Sequence, residues 1–400
     1  MPRSPLHDEH VALGATLTEF AGWDMPVRYS GDVAEHLAVR SAAGLFDISH
    51  MGEIAIRGAE AAAGLDAAVV SGMERVQIGR AKYTMLCTPD GGVIDDLIVY
   101  RRDWDHFVIV ANASNVDTVT AELAARLASF EATVENITAG VALIAVQGPK
   151  AEGIVASMCA AGADDVRALK NYTWCTVLLA GDIHAMVART GYTGEDGFEL
   201  FVVAADAVEV WRLALALGSP EGLIPCGLSA RDTLRLEAGM PLYGHELTLS
   251  TTPYDAGLGW VVQTGAARVL ERPGIDGAVA LSPAPVARGE FVGREALASA
   301  KARAAAAQAD PASAPDDSSI LIGLVGSPGR AARAGFEVYA GDRRVGMVTS
   351  GAPSPTLGVP VAMAMVHPSA AVAGTVLEID VRGRREKMTV TALPLYERAT

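Results

Sequence analysis

Residues Asp95 and Asp96 stand where a turn meets a strand, and that position could do chemistry. Pro89-Asp90-Gly91-Gly92 reads as a turn, and Leu97 to Tyr100 follows as an apolar, β-branched and aromatic strand. Side chains alternate along a strand, so only one of the two carboxylates can enter a given pocket. A carboxylate at the mouth of an apolar strand is costly to bury without a partner, which makes it a candidate site residue; the alternative is a solvated Asp-Asp turn. A second candidate is Glu199, at the end of the glycine-rich run Arg189 to Leu200. A third is Arg231, which either faces a ligand or pairs with Asp232 or Glu237 on its own helix. Carboxylates accept hydrogen bonds from an amino-substituted ring and can steer protons beside a reacting nitrogen. A guanidinium holds an anionic tail bidentately. Tyr83, Tyr100, Tyr172 and Tyr192 offer flat walls to an aromatic ligand, or else fill the core.

These residues need elements to carry them. Residues 1–50 contain an N-terminal segment, His7-Asp8-Glu9-His10, that reads as solvated. A helix over 33–43 follows, opened by an Asp32-x-x-Glu35 capping pattern. Residues 51–137 alternate strands with helices at 60–70 and 115–129, which predicts an antiparallel sheet with helices on one face. Residues 138–245 repeat that mixture, with Arg231 and Arg235 four apart on a helix over 229–238. Residues 299–318, rich in Ala, Asp, Ser and Pro, read as a mobile surface linker. From Ile320 short β segments at 321–325, 336–339, 345–350, 376–381 and 387–393 suggest a small barrel or sandwich.

The totals narrow the classes. A chain of 400 residues has room for two or three domains. A net charge of -15 argues against a general nucleic-acid binder. Four scattered cysteines with no CxxC argue against a disulfide framework or a zinc site, and no metal is expected. No apolar leader opens the chain and no apolar run approaches a membrane span, so a cytoplasmic protein without membrane contact is expected. Neither a P-loop nor a nucleophile elbow nor a dinucleotide fingerprint is present.

Long motifs in order then identify a resemblance. Phe20-Ala21-Gly22-Trp23, Leu45-Phe46-Asp47-Ile48-Ser49-His50-Met51-Gly52-Glu53, Gly91 to Val99, Arg189 to Leu200, Cys226 to Met240, Leu242-Tyr243-Gly244 and Thr349 to Gly358 together resemble the aminomethyltransferases, the T proteins of the glycine cleavage system. The likeness runs from about residue 5 to the C-terminus. It implies an α+β fold of three domains in a cloverleaf: a discontinuous folate-binding domain over 1–50 plus 138–245, a domain over 51–137 carrying the catalytic carboxylate, and 246–400 as linker and C-terminal β-barrel or jelly-roll-like domain. It implies transfer of a one-carbon unit from the aminomethyl-dihydrolipoyl arm of H protein to tetrahydrofolate, giving 5,10-methylenetetrahydrofolate and ammonia. Lipoylated H protein and tetrahydrofolate are then the partners, and the chain is expected to be a monomer. The resemblance makes Asp96 the catalytic carboxylate, Glu199 the pterin-holding residue and Arg231 a folate-side cation. It places Met51, Tyr83, Tyr100, Asn112, Tyr172 and Tyr192 along the pocket. Tyr396 and Arg398 fall near a segment that can close that pocket. Two rivals share the fold: a folate-dependent demethylase, against which the intact Asp95-Asp96 pair speaks, and a non-enzymatic folate binder of iron–sulfur maintenance, whose cysteine is missing beside Gly244-His245. A detached domain of a flavin amine oxidase is a third.

Overall fold

The computed structural model describes residues 1–271 and 280–398. Its α+β architecture is built on two open sheets and a closed barrel. The larger sheet has seven strands in the order Cys159–Ala161, Trp174–Leu179, Ile183–Ala188, Gly197–Val203, Val141–Gln147, Ala43–Asp47 and Leu223–Pro225. Leu223–Pro225 runs parallel to Ala43–Asp47, and the other pairings are antiparallel. Ala43–Asp47 thus joins strands that follow it by a hundred residues. Helices Ala151–Met158 and Ala207–Gly218 cover one face, where Trp211, Val155 and Ile154 meet Leu45, Val146 and Leu200.

The second sheet has five antiparallel strands, in the order Ala81–Cys87, Val93–Arg101, His106–Ala111, Gly52–Arg57 and Thr133–Asn136. Alternation along Val93–Arg101 decides the placement of the two aspartates. Leu97 and Val99 face the core under helices Ala61–Ala68 and Val116–Leu127. Ile98 and Tyr100 face the opposite way, toward Phe46, Leu143 and Ala145 of the larger sheet. Asp96 is in phase with Ile98 and Tyr100, so it points between the two sheets.

The turn before that strand is held by the segment after Tyr243. Val93 N donates to the Thr248 and Thr251 carbonyls at 3.1 and 3.0 Å. A Cβ on Gly92 would lie 1.9 Å from the Leu249 carbonyl oxygen. Gly92→Ala is therefore expected to destabilise the protein by about 1–3 kcal/mol and to lower activity by displacing the aspartate strand. A thermal melt equal to wild type would refute this close contact.

The barrel closes in the order Ile320–Gly326, Pro360–Val366, Arg343–Pro353, Glu337–Ala340, Val376–Asp380 and Arg385–Thr391, which returns to Ile320–Gly326. Sequence patterning misses Pro360–Val366 because it is apolar throughout. Ala362, Ala364 and Val366 fill the barrel, while Val361 and Met363 pack on Leu236 outside it. A strand covered on both faces loses its alternation.

Three further expectations are corrected. Residues 294–309 form a 16-residue helix, Arg294–Ala309, where part of a mobile linker is expected. Alanine with Arg, Lys, Gln and Glu is strong helix-forming composition, and Leu297 anchors the helix in a core with Val93 and Phe291. His7–Ala12 is a helix rather than a solvated segment: His10 is fully buried, with Nε2 2.8 Å from Asp47 Oδ2 and Nδ1 2.9 Å from the Tyr29 hydroxyl. Gly31, not Asp32, is the N-cap of the helix Asp32–Ser41. Glu35 supplies the reach-back, accepting from Tyr29 N at 2.7 Å, Gly31 N at 3.0 Å and Gly227 N at 2.8 Å. Within the segment 246–400 expected to hold the linker and C-terminal domain, residues 272–279 lie outside the described residues.

Candidate functional site

The space between the two sheets is a cavity of about 440 Å³, closed on a third side by Gly239 to His245 and at its edge by Leu258 and Trp260. Its lining is mostly apolar with a few convergent polar groups, the usual make-up of a small-molecule site. Asp96, Glu199, Arg231, Tyr83, Asn112, Tyr172, Tyr192 and Met51 all line it. They come from both sheets, the glycine-rich loop and the helix Leu228–Glu237, so folding brings together residues up to 180 positions apart (231 − 51 = 180).

Asp96 is held by two donors from its own sheet. The Tyr83 hydroxyl donates to Oδ2 at 3.0 Å, and Asn112 Nδ2 donates to Oδ1 at 2.7 Å. Asp95, in the opposite phase and fully buried, receives Asn112 N at 3.0 Å, Asn112 Nδ2 at 2.8 Å and Asn115 Nδ2 at 2.8 Å. Asn112 Nδ2 thus lies between the two carboxylates and fixes their relative position. Burial raises the pKa of both carboxyls, and Asp95 is raised further by the charge of Asp96. Burial and the Asp96 charge likewise raise the Tyr83 phenol, which keeps its proton and its role as donor.

Glu199 lies on the strand Gly197–Val203 and is almost fully buried. Its Oε2 accepts from Thr190 Oγ1 at 2.5 Å and from the Tyr100 hydroxyl at 3.2 Å. Both named donors converge on one oxygen. This corrects the placement of Tyr100. It is completely buried behind the cavity, edge-on to Phe201 at 5.1 Å, and supports Glu199 instead of forming the wall. A Cβ on Gly191 or Gly197 would strike the Gln147 side chain at 2.0 or 2.2 Å. These glycines admit Gln147, which donates to the Thr190 carbonyl and accepts from Thr193.

Arg231 and Arg235 share a helix but have different fates. Arg235 pairs with Asp232 at 2.7 Å and Glu246 at 3.0 Å. Glu237 instead pairs with Arg40 at 2.9 Å. Arg231 therefore forms an ion pair with neither of the acids on its helix; its guanidinium lies 4.8 Å from the Tyr192 ring centre. Burial lowers its pKa, and it presents a desolvated cation to the cavity.

The site also holds residues that sequence reasoning did not single out. Asn115 precedes the helix Val116–Leu127, and an Asn there reads as a cap. Trp260 tilts over Tyr83 at 6.1 Å and is 60% exposed at the rim. His50 and His245 line the cavity too. Tyr396, expected near a closing segment, donates to Glu195 Oε1 at 2.8 Å and packs under Arg40, with Cζ 4.0 Å from its ring centre. Arg398 reaches Asp196 at 3.9 Å. The C-terminal segment thus braces the loop that carries Tyr192.

Because Glu199 offers a pre-oriented carboxylate, Glu199→Gln is expected to weaken binding of an amino-substituted heterocycle by about a hundredfold, the size of a lost charge-assisted pair. Calorimetry with tetrahydrofolate checks this, and an unchanged Kd would remove Glu199 from the ligand.

Comparison with known proteins follows the same outline. Residues 6–266 match the GCVT N-terminal domain family, and residues 320–397 match the glycine cleavage T-protein C-terminal barrel domain. An aminomethyltransferase of Streptomyces avermitilis is 50% identical over 390 residues, covering 97% of this chain and 96% of its own. One of Moorella thermoacetica is 40% identical over 398 residues, covering 100% and 98%. The crystal structure of the glycine cleavage system aminomethyltransferase T from Bartonella henselae superposes with a TM-score of 0.83 at 32% identity, covering 99% and 98%.

Proposed function

Because the chain belongs to the glycine cleavage T-protein family, we propose that the cavity between its two sheets is where aminomethyl transfer takes place, with Asp96 as the catalytic carboxylate. The activity is that of an aminomethyltransferase of the glycine cleavage system. The donor is an aminomethyl group on the lipoyl arm of H protein, R–S–CH2–NH3+ when protonated. The acceptor is tetrahydrofolate. Counted from the neutral amine, its C–S and C–N bonds break and two bonds form, from carbon to N5 and to N10. Of the two folate N–H protons, one goes to the departing sulfur and one to the departing amine. The products are dihydrolipoyl H protein, ammonia and 5,10-methylenetetrahydrofolate.

The observation that carries this reading is Asp96, a partly buried carboxylate fixed by Tyr83 and Asn112 at the wall of the cavity. In a dry site an anion stabilises the cationic, iminium-like carbon far more than it would in water. It also orients N10–H while N5 attacks. Glu199 accepts from the pterin N–H groups, and the aromatic walls Tyr83, Tyr172 and Tyr192 flank the ring. The same reading divides the chain into 1–50 with 138–245, 51–137, and 246–400, a division supported by the membership of the three β structures. It also takes the chain to act as a cytoplasmic monomer.

The test is reconstitution. Purified protein mixed with aminomethyl-loaded H protein and tetrahydrofolate is expected to release ammonia and methylenetetrahydrofolate in equal amounts. Folate binding without product would overturn the transferase assignment in favour of the demethylase or the binding protein.

A further inference from the structure

His50 takes no part in the chemistry above. It follows the strand Ala43–Asp47, is 2% exposed, and lines the cavity. Its Nδ1 is buried with no hydrogen-bond partner among the described residues. Two equally buried histidines behave differently. His10 engages Asp47 and Tyr29 through its two ring nitrogens. His36 engages Thr233, Glu237 and Thr356. A buried polar nitrogen left unpaired is costly, and natural proteins keep one chiefly where something else completes it.

The surroundings of His50 say what that completion is. Phe20 stands edge-on against the imidazole, ring centres 5.5 Å apart at 89°, and holds the ring in place. Burial first, then the charge of Arg231, pushes the His50 pKa down to about 4, so the ring is neutral at physiological pH. A neutral imidazole has one N–H to give and adds no second charge beside the guanidinium. The cavity therefore divides its polar groups. Asp96 and Glu199 accept; the Arg231 guanidinium and the one N–H of the neutral His50 ring can donate, and all four residues line the cavity.

We propose that His50 is a ligand-binding residue whose Nδ1–H donates, beside the Arg231 guanidinium, to an oxygen of the bound folate. That oxygen is either the carbonyl of the pterin ring or an oxygen of the benzoylglutamate tail. The inference rests on the folate reading above and adds a contact to it.

Two probes separate the sources: tetrahydrofolate, and 6-methyltetrahydropterin, which has the ring and no tail. Binding is measured by calorimetry for wild type, His50→Leu and His50→Asn, with KM for loaded H protein determined in parallel. His50→Leu is expected to weaken tetrahydrofolate binding about tenfold, the value of one hydrogen bond, with KM for H protein unchanged. His50→Asn, whose amide can reproduce the Nδ1 donor, is expected to recover most of that loss. The same loss with the pterin places the oxygen on the ring, and a loss confined to tetrahydrofolate places it on the tail. Nitrogen-15 NMR of histidine-labelled wild type reads the contact without any variant, because the Nδ1 resonance of a protonated neutral ring is expected to move when folate binds. Unchanged affinity of His50→Leu for both probes, or an unmoved Nδ1 resonance on binding, would overturn the proposal. Failure of the wild type to bind tetrahydrofolate at all would instead overturn the folate reading on which it rests.

Discussion

Asp96→Asn is expected to lower the rate of methylenetetrahydrofolate formation by about a thousandfold, while tetrahydrofolate still binds. The substitution keeps the shape of the side chain. Asn112 Nδ2 can still donate to the amide oxygen, and the Tyr83 hydroxyl can turn to accept from the new NH2. What disappears is the negative charge beside the developing cation. Removing one oriented electrostatic contact of this kind typically costs a factor of about 10²–10³, and loss of proton steering adds to it. Single-turnover ammonia release from loaded H protein checks the value. Full activity in the variant would leave the family assignment intact and remove Asp96 from the mechanism.

The same carboxylate predicts two pH effects. Burial raises the pKa of Asp95 and Asp96, so the anionic form is depleted at a higher pH than for an ordinary carboxylate. The rate is expected to rise with pH through an apparent pKa above the usual carboxylate value, one that belongs to the pair. A rate already level at pH 4 would contradict this. For stability the sign is opposite. The folded pair binds protons more tightly than the unfolded chain, so its contribution declines as pH rises from about 4 through the raised pKa values. Asp96→Asn is therefore expected to melt at a higher temperature than wild type at neutral pH, a gain in stability at the expense of function.

Glu237→Ala is expected to destabilise the protein by about 3–5 kcal/mol, the usual result of removing one partner from a buried charge network. Glu237 is fully buried. Its Oε2 accepts from Arg40 Nη2 at 2.9 Å and Thr356 Oγ1 at 2.7 Å and lies 3.1 Å from His36 Nε2. Its Oε1 accepts from Ser354 Oγ and from Thr356 N. These partners belong to the helix Asp32–Ser41 and to the barrel segment after Pro353, so one carboxylate ties the seven-stranded unit to the barrel. Burial opposes its ionisation, but the bonds from His36, Ser354 and Thr356 outweigh that and bring its pKa to about 2. A depressed pKa means that the stabilisation is present above the unfolded value near 4.5 and is lost as pH falls toward 2. Acid titration of the wild type should therefore lose stability over that interval, and Glu237→Ala should lose less. A variant that melts with wild type would show that the barrel docks by its apolar contacts alone.

Most of the helices and strands were legible as periodicity. Leu97 to Tyr100 and the helix Val116–Leu127 carry their pattern within a few residues, because each buries one face only. The pattern failed where an element is covered on both sides, as at Pro360–Val366, or where composition mimics a linker, as at Arg294–Ala309.

Local chemistry also determined that at most one of Asp95 and Asp96 could face a given pocket, since side chains alternate along a strand. Only the tertiary structure decided which one. That choice depends on which face of Val93–Arg101 meets the larger sheet, and on the Asn112 and Asn115 side chains that claim Asp95. It also decided that Arg235 and not Arg231 takes Asp232, that Tyr100 sits behind Glu199, and that His50 Nδ1 has no hydrogen-bond partner among the described residues. A local repeat sets the direction of a side chain relative to its own backbone. Whether a charge is then paired or left to a ligand depends on groups elsewhere in the chain, from Asn112 beside Asp95 to Glu199 beside Tyr100, which meet it only in the folded structure.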